Sequence, residues 1–157
     1  MSRIVSVFLP GWPILRFLAA QARNPGSAPV DPEKPFVLAA EARTGGPCVA
    51  ACNAASERAG VVKGDRLADA RAKAGMLQVR HVDREAEDAA LKKLALWATR
   101  YTPAVVLWGD ENGADGFFLD IAGASHLFGG EEKLLADLSL RLSRMGFPAR
   151  QIGRAHV

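Results

Sequence analysis

The sequence predicts an α+β fold, a ferredoxin-like unit in the order strand, helix, strand, strand, helix. It lacks the last strand and carries a small helical insertion after the first strand. Three observations predict this. An apolar run at 3–9 stops at Pro10-Gly11, and a long stretch of helical period follows Asp83. Two apolar segments, Val105–Trp108 and Phe117–Ile121, flank the polar stretch Gly109–Gly116 like the arms of a hairpin.

A chain of 157 residues, 49% apolar and 24% charged, has room for one domain with a hydrophobic core, or one domain with a small inserted lobe. Disordered and fibrous classes are excluded by that balance. The longest apolar runs, such as Ala104–Trp108, fall far below the ~18 residues that span a bilayer. Arg3 followed by Ile4–Leu9 imitates a signal peptide, but Pro10, Pro13 and Arg16 interrupt it too early. A cytoplasmic protein with no membrane contact is expected.

The formal charge is +3, and Arg58, Lys63, Arg66, Arg71, Lys73, Arg80 and Arg84 gather in one zone. Such a zone suits a nucleic-acid backbone, with Lys63 and Arg66 as weak DNA contacts. Glu57, Asp65, Asp69 and Glu85 lie among them, so a charge-balanced solvated face accounts for the pattern equally well. Cys48 and Cys52 sit in one strand-like run on one face, too far apart to bridge, and read as reduced core residues. They form no metal-ligand pattern with His81, His126 or His156, so no metal site is expected.

In chain order, residues 3–9 read as a buried strand and Trp12–Arg23 as an amphipathic helix with Pro13 in its first turn. Asn24–Lys34 reads as a loop built on prolines and glycine. Phe36–Ala40 and Pro47–Cys52 read as short strands around Thr44-Gly-Gly46. Asn53 caps a short helix to Ala59, and Asp65 caps Arg66–Ala74. After a strand at Leu77–Val82, Asp83 caps a helix Arg84–Tyr101, whose buried stripe is Ala90, Leu94, Trp97 and Tyr101. Gly129-Gly130 leads into a final helix reaching Met145, with Leu134, Leu138, Leu142 and Met145 on one face. Glu131 and Glu132 at its start and Arg141 and Arg144 at its end suit the helix dipole. Residues 1–10, 11–80 and 81–150 thus divide as first strand, insertion and remainder.

Ile152–Val157 back-translates codon for codon to ATC GGA AGA GCA CAC GTC, the body of a common sequencing adapter. The preceding adapter bases fit Gln151. The expectation is that residues 151–157 are an adapter artefact and that the natural sequence departs near Arg150, where the missing strand belongs. Arg154 and His156 then carry no functional weight.

Three segments carry a resemblance: Gly60-Val-Val-Lys-Gly-Asp-Arg-Leu-Ala-Asp-Ala-Arg71, Arg100-Tyr-Thr-Pro103, and Leu119-Asp-Ile-Ala-Gly-Ala-Ser-His-Leu-Phe-Gly-Gly-Glu131. With the interrupted ferredoxin-like pattern, they resemble the palm and fingers of Y-family (UmuC/DinB-type) translesion DNA polymerases. The last two are most similar to the ImuB-like branch of that family. Polymerases of this kind hold two Mg²⁺ ions about 4 Å apart on carboxylates of adjacent strands.

Aligned on Ile4-Val5, the family's first-strand Asp falls on Leu9. Aligned on Leu119-Asp120-Ile121, its Asp-Glu pair falls on Asp115-Gly116. The Tyr and Arg that hold the incoming triphosphate fall on Ala54 and Glu57, and the aromatic residue that screens out ribonucleotides falls on Ile14. Asp115 is then a remnant, and Glu57 repels phosphate where a cation should attract it. Asp110 and Glu111 are conceivable stand-in ligands, but Gly109–Gly113 reads first as a solvated turn. Asp120 reads as a hydrogen-bonding support of the hairpin and His126 as a loop residue.

The resemblance therefore implies a non-catalytic polymerase-like scaffold of bacterial translesion synthesis, induced mutagenesis and DNA repair. In the full-length protein it implies links to an error-prone replicative-type polymerase, an ImuA-type RecA-like protein and the sliding clamp. Without thumb and little finger, DNA binding by these residues is expected to be weak. No cofactor is expected, with Mg²⁺ required only by the alternative, an active lesion-bypass polymerase. A ferredoxin-like regulatory binding module is the second alternative.

Overall fold

The computed structural model describes residues 3–110, 113–149 and 151–156. Two compact units account for them. Met1–Trp12 with Arg84–Val157 form the first, and Pro13–Asp83 form the second.

The first unit holds β1 (Arg3–Phe8), α4 (Arg84–Ala98), β5 (Val105–Asp110), β6 (Gly113–Asp120), a 3-10 turn at Ser125–Phe128, α5 (Glu131–Arg144) and β7 (Gln151–His156). Its sheet runs β5-β6-β1-β7, each strand antiparallel to its neighbours. Val5, Val7 and Leu9 alternate toward the core side of β1, as do Phe117 and Leu119 on β6, and all are buried. Helix α5 contributes Leu134, Leu138 and Leu142 at helical spacing, all fully buried. Gly129 and Gly130 turn the chain into that helix at φ of 82° and 113°, where a side chain would strain the backbone.

The second unit holds α1 (Trp12–Arg23, its first residue excepted), β2 (Phe36–Glu41), β3 (Pro47–Cys52), α2 (Ala54–Arg58), α3 (Leu67–Lys73) and β4 (Gln78–His81). The insertion is thus not a helical lobe. It contains a sheet of order β3-β2-β4, antiparallel between β3 and β2 and parallel between β2 and β4. Central β2 is buried on both faces, the signature of a sheet covered twice. Phe36 and Leu38 join Ile14, Val30 and Ala51 with Phe17 and Leu18 of α1, whereas Val37 and Ala39 join Val49, Val61, Leu67 and Ala70.

Several expectations require correction. The last strand, expected to be missing, is present as β7, paired with β1 from Arg3↔His156 to Phe8↔Gln151. The free edge of β1 offers unpaired amides and carbonyls to any extended proline-free segment, so this pairing is indifferent to the origin of residues 151–156. The hairpin is tighter than a Gly109–Gly116 turn, because Asp110 pairs with Gly113. Ladder bonding there overrides the poor strand propensity of Gly and Asp. Glu111 lies outside the described residues, as does the side chain of Asp110.

The buried stripe of α4 is Glu87, Leu91, Leu94 and Ala98 rather than Ala90, Leu94, Trp97 and Tyr101. The helix ends at Ala98, and Tyr101 is buried from the turn that follows. Met145 is exposed beyond the end of α5. Arg66, not Asp65, occupies the α3 cap, because the Asp65 carboxylate accepts from Val62 N–H and from Lys73 Nζ. Cys48 and Cys52 are half-buried free thiols at the margin of the core. A bulge between the flanking pairs Leu38↔Ala51 and Ala39↔Val49 displaces the strand's facing residues.

Candidate functional site

In the first unit, β1 and β6 bring together the two positions where the sequence placed carboxylates. Phe8 pairs with Gly116, and Leu9 N–H donates to the Asp115 carbonyl at 3.0 Å. The ungapped alignments on Ile4-Val5 and on Leu119-Asp120-Ile121 therefore converge on one place. Leu9 is fully buried there, and Asp115 beside it is half-buried.

Gly116 is closed by its neighbours. It lies between Phe8 on one flanking strand and Trp108 on the other, and those rings meet above it, 5.8 Å between centroids and 26° between planes. Trp108 meets Phe118 similarly, at 5.7 Å and 30°. A Cβ on Gly116 would lie 2.3 Å from the Val7 carbonyl oxygen and 2.8 Å from the indole Cε2. Both distances are well inside contact, so the position where a second carboxylate would project is filled with backbone and indole. A metal pair needs oxygen donors from both strands. The side chains of Leu9 and Gly116 supply none, so these residues lack the carboxylate set that would hold two Mg²⁺ ions. Among the described residues no cluster of three or more His, Cys, Asp or Glu could hold a metal.

On the second unit, Asn53 caps α2 as expected, accepting from Ser56 N–H at 3.0 Å. Ala54 and Glu57 lie exposed on that short helix, while Ile14 is buried in the core cluster. Lys63 and Arg66 are exposed on the segment leading to α3. Lys73 is neutralised by Asp65 at 2.8 Å. That hydrogen bond, followed by the one from Val62, holds the Asp65 carboxyl below its usual range. Burial raises the Cys52 thiol, with Glu57 and Asp65 adding to the effect.

Two of the segments that carried the resemblance, Arg100–Pro103 and Leu119–Glu131, are knit together within the first unit. Asp120 Oδ1 accepts from Arg3 N–H and from Ala122 N–H, the hairpin support read from sequence. The Thr102 hydroxyl donates to the Asp120 carbonyl at 2.6 Å. Tyr101 donates to Asp137 at 2.6 Å and packs its ring on Phe128, 5.1 Å between centroids. Burial, then that hydrogen bond, pushes the Tyr101 phenol well above its ordinary pKa; the same bond is the largest cause lowering Asp137. His126 is exposed on the 3-10 turn.

With this geometry in place, comparison with known proteins is informative. The impB/mucB/samB family matches residues 19–152. The chain belongs to that family. It is also 46% identical over 91 residues to Protein ImuB of Caulobacter vibrioides, covering 58% of this chain and 19% of that protein. The chain thus spans about a fifth of that relative.

Among solved structures it resembles an insertion ternary complex of Dbh DNA polymerase, at TM-score 0.71 and 18% identity, covering 99% of this chain and 42% of that one. It likewise resembles DinB from Sulfolobus solfataricus, at TM-score 0.69 and 17% identity, with the same coverage. At such identity these structures establish the fold, that of a Y-family polymerase palm region. No helix among the described residues is long and apolar enough to cross a membrane.

Proposed function

We propose that this chain is the palm-and-fingers portion of a polymerase-like scaffold that carries out no nucleotidyl transfer and serves bacterial translesion synthesis and induced mutagenesis. The observation that carries this reading is the closure of Gly116 by Val7 and Trp108, beside a Leu9 that cannot ligate metal. Exposed Glu57, in place of a phosphate-binding cation, and the similarity to ImuB support it further.

In this reading the protein is cytoplasmic and needs no cofactor, and Lys63 and Arg66 contribute only weak DNA contact. The longer protein engages an error-prone replicative-type polymerase, an ImuA-type RecA-like protein and the sliding clamp. Retained Asp115 is the one observation favouring the alternative, an active lesion-bypass polymerase. Primer extension by the complete protein with Mg²⁺ or Mn²⁺ separates the two. No template-dependent incorporation is expected; incorporation that disappears in Asp115→Ala would establish the polymerase instead.

A further inference from the structure

The second unit contains a cavity of about 360 Å³ lined by Arg16, Phe17, Gln21 and Asn24 from α1 and the turn after it, and by Arg80 of β4. No acidic residue lines it. Arg80 is held rigidly, donating through one guanidinium nitrogen to the Val79 carbonyl and through the other to the Ala28 carbonyl, both at 2.8 Å. These acceptors are neutral, so they fix the fork without compensating its charge. Arg16 Nε is buried with no hydrogen-bond partner. Among the described residues neither arginine forms an ion pair. Gln21 is pinned by a reciprocal pair of bonds with Val30, at 2.8 Å and 2.7 Å, which fixes this lining side chain.

Two uncompensated guanidiniums on one concave wall repel each other, and a buried unsatisfied N–H costs free energy. An anion with several acceptor oxygens compensates both charges at once, and planar guanidinium forks match phosphate bidentately. A purely structural role accounts for Arg80, which clamps the Ala28 segment. It leaves the uncompensated charge of Arg16 at the same cavity unexplained.

We propose that this cavity binds a phosphate group through Arg16 and Arg80. Its size admits a phosphate together with part of a nucleoside. The pocket shares no residue with Ala54 or Glu57, nor with Lys63 or Arg66. It is independent of whether the chain is catalytic.

The phosphate can come from a free nucleotide or from a nucleic-acid backbone, and titration calorimetry on the 157-residue chain distinguishes them. The probes are inorganic pyrophosphate, a 5′-mononucleotide and a short single-stranded oligonucleotide. Saturable binding of at least one is expected, weakened tenfold or more in Arg16→Gln and in Arg80→Gln and unchanged in Lys92→Gln, at an exposed position of α4 outside the cavity. Loss confined to the small anions identifies a free phosphate compound, and parallel loss for the oligonucleotide identifies the backbone. Side-chain NMR of the unaltered protein avoids dependence on variant folding: pyrophosphate should shift the Nε–H signals of Arg16 and Arg80 before those of other arginines. Absence of saturable binding by all three probes overturns the proposal. So does binding undiminished in Arg16→Gln, or titration that leaves both Nε–H signals in place.

Discussion

A side chain added at Gly116 meets the Val7 carbonyl oxygen at 2.3 Å and the Trp108 indole at 2.8 Å, and the first of these is backbone that cannot rotate away. Gly116→Glu is therefore expected to destabilise the protein by about 1–3 kcal/mol, the usual cost of overpacking. Gly116→Ala should already show part of that loss. Urea unfolding monitored by tryptophan fluorescence reads both, and an unchanged midpoint for Gly116→Ala would remove the steric argument.

Tyr101 and Asp137 make a second residue-scale case. The folded pKa of Asp137 is lowered, so its contribution is present above the unfolded carboxyl range and lost as pH falls through the folded value. The folded pKa of Tyr101 is raised, so its contribution is present below pH 10 and lost as pH rises through the folded value. Tyr101→Phe should cost about 0.5–1.5 kcal/mol, the net value of one hydrogen bond. The difference from wild type should be greatest between about pH 5 and pH 9 and shrink on both sides. A difference constant from pH 3 to pH 11 would assign the effect to packing alone.

Among the elements, α2 depends most on one residue. Asn53 Oδ1 accepts from Ser56 N–H and Phe36 N–H, and its Nδ2 donates to the Lys34 carbonyl at 2.8 Å. Asn53→Ala should cost about 1–2 kcal/mol, toward the upper part of the range for a lost helix cap. Thermal unfolding measures it, and a cost indistinguishable from zero would mean that water replaces the cap freely.

That cap was legible in the sequence because it is local, Asn directly before a helical run. Leu134, Leu138 and Leu142 were legible for the same reason, their spacing being intrinsic to α5. The stripe of α4 was misread because Leu91 and Ala98 offer no more apolar signal than Trp97. What selects between the alternatives is the rest of the unit, including Trp12, whose indole N–H donates to the Glu87 carbonyl at 3.1 Å. The turn at Gly109–Gly116 was misread because glycine and aspartate are poor strand formers in isolation. Pairing of β5 with β6 imposes the strand.

At the scale of the molecule, the junction of β1 with β6 was half legible. That Leu9 and Asp115–Gly116 fall side by side follows from regular spacing along β1 and β6. The rings of Phe8 and Trp108 closing over Gly116 were not legible, because that contact joins three strands. Arg16 and Arg80 stayed hidden likewise, since only the fold of the second unit brings positions 16 and 80 to one cavity.

A binding measurement tests the same distinction without enzymology. An ion bound only by the folded state stabilises it by RT ln(1 + [L]/Kd), about 2.7 kcal/mol at a hundredfold excess over Kd. For a chain of this size that would raise Tm by roughly 5–10 °C. With Leu9 and Gly116 supplying no carboxylate, 10 mM Mg²⁺ or Mn²⁺ is expected to produce no saturable rise. Scanning calorimetry at constant ionic strength separates binding from screening, because screening is matched by an equivalent monovalent salt. A saturable rise specific to the divalent ion and abolished by Asp115→Asn would place a working metal site at the remnant carboxylate, and the scaffold reading would fall with it.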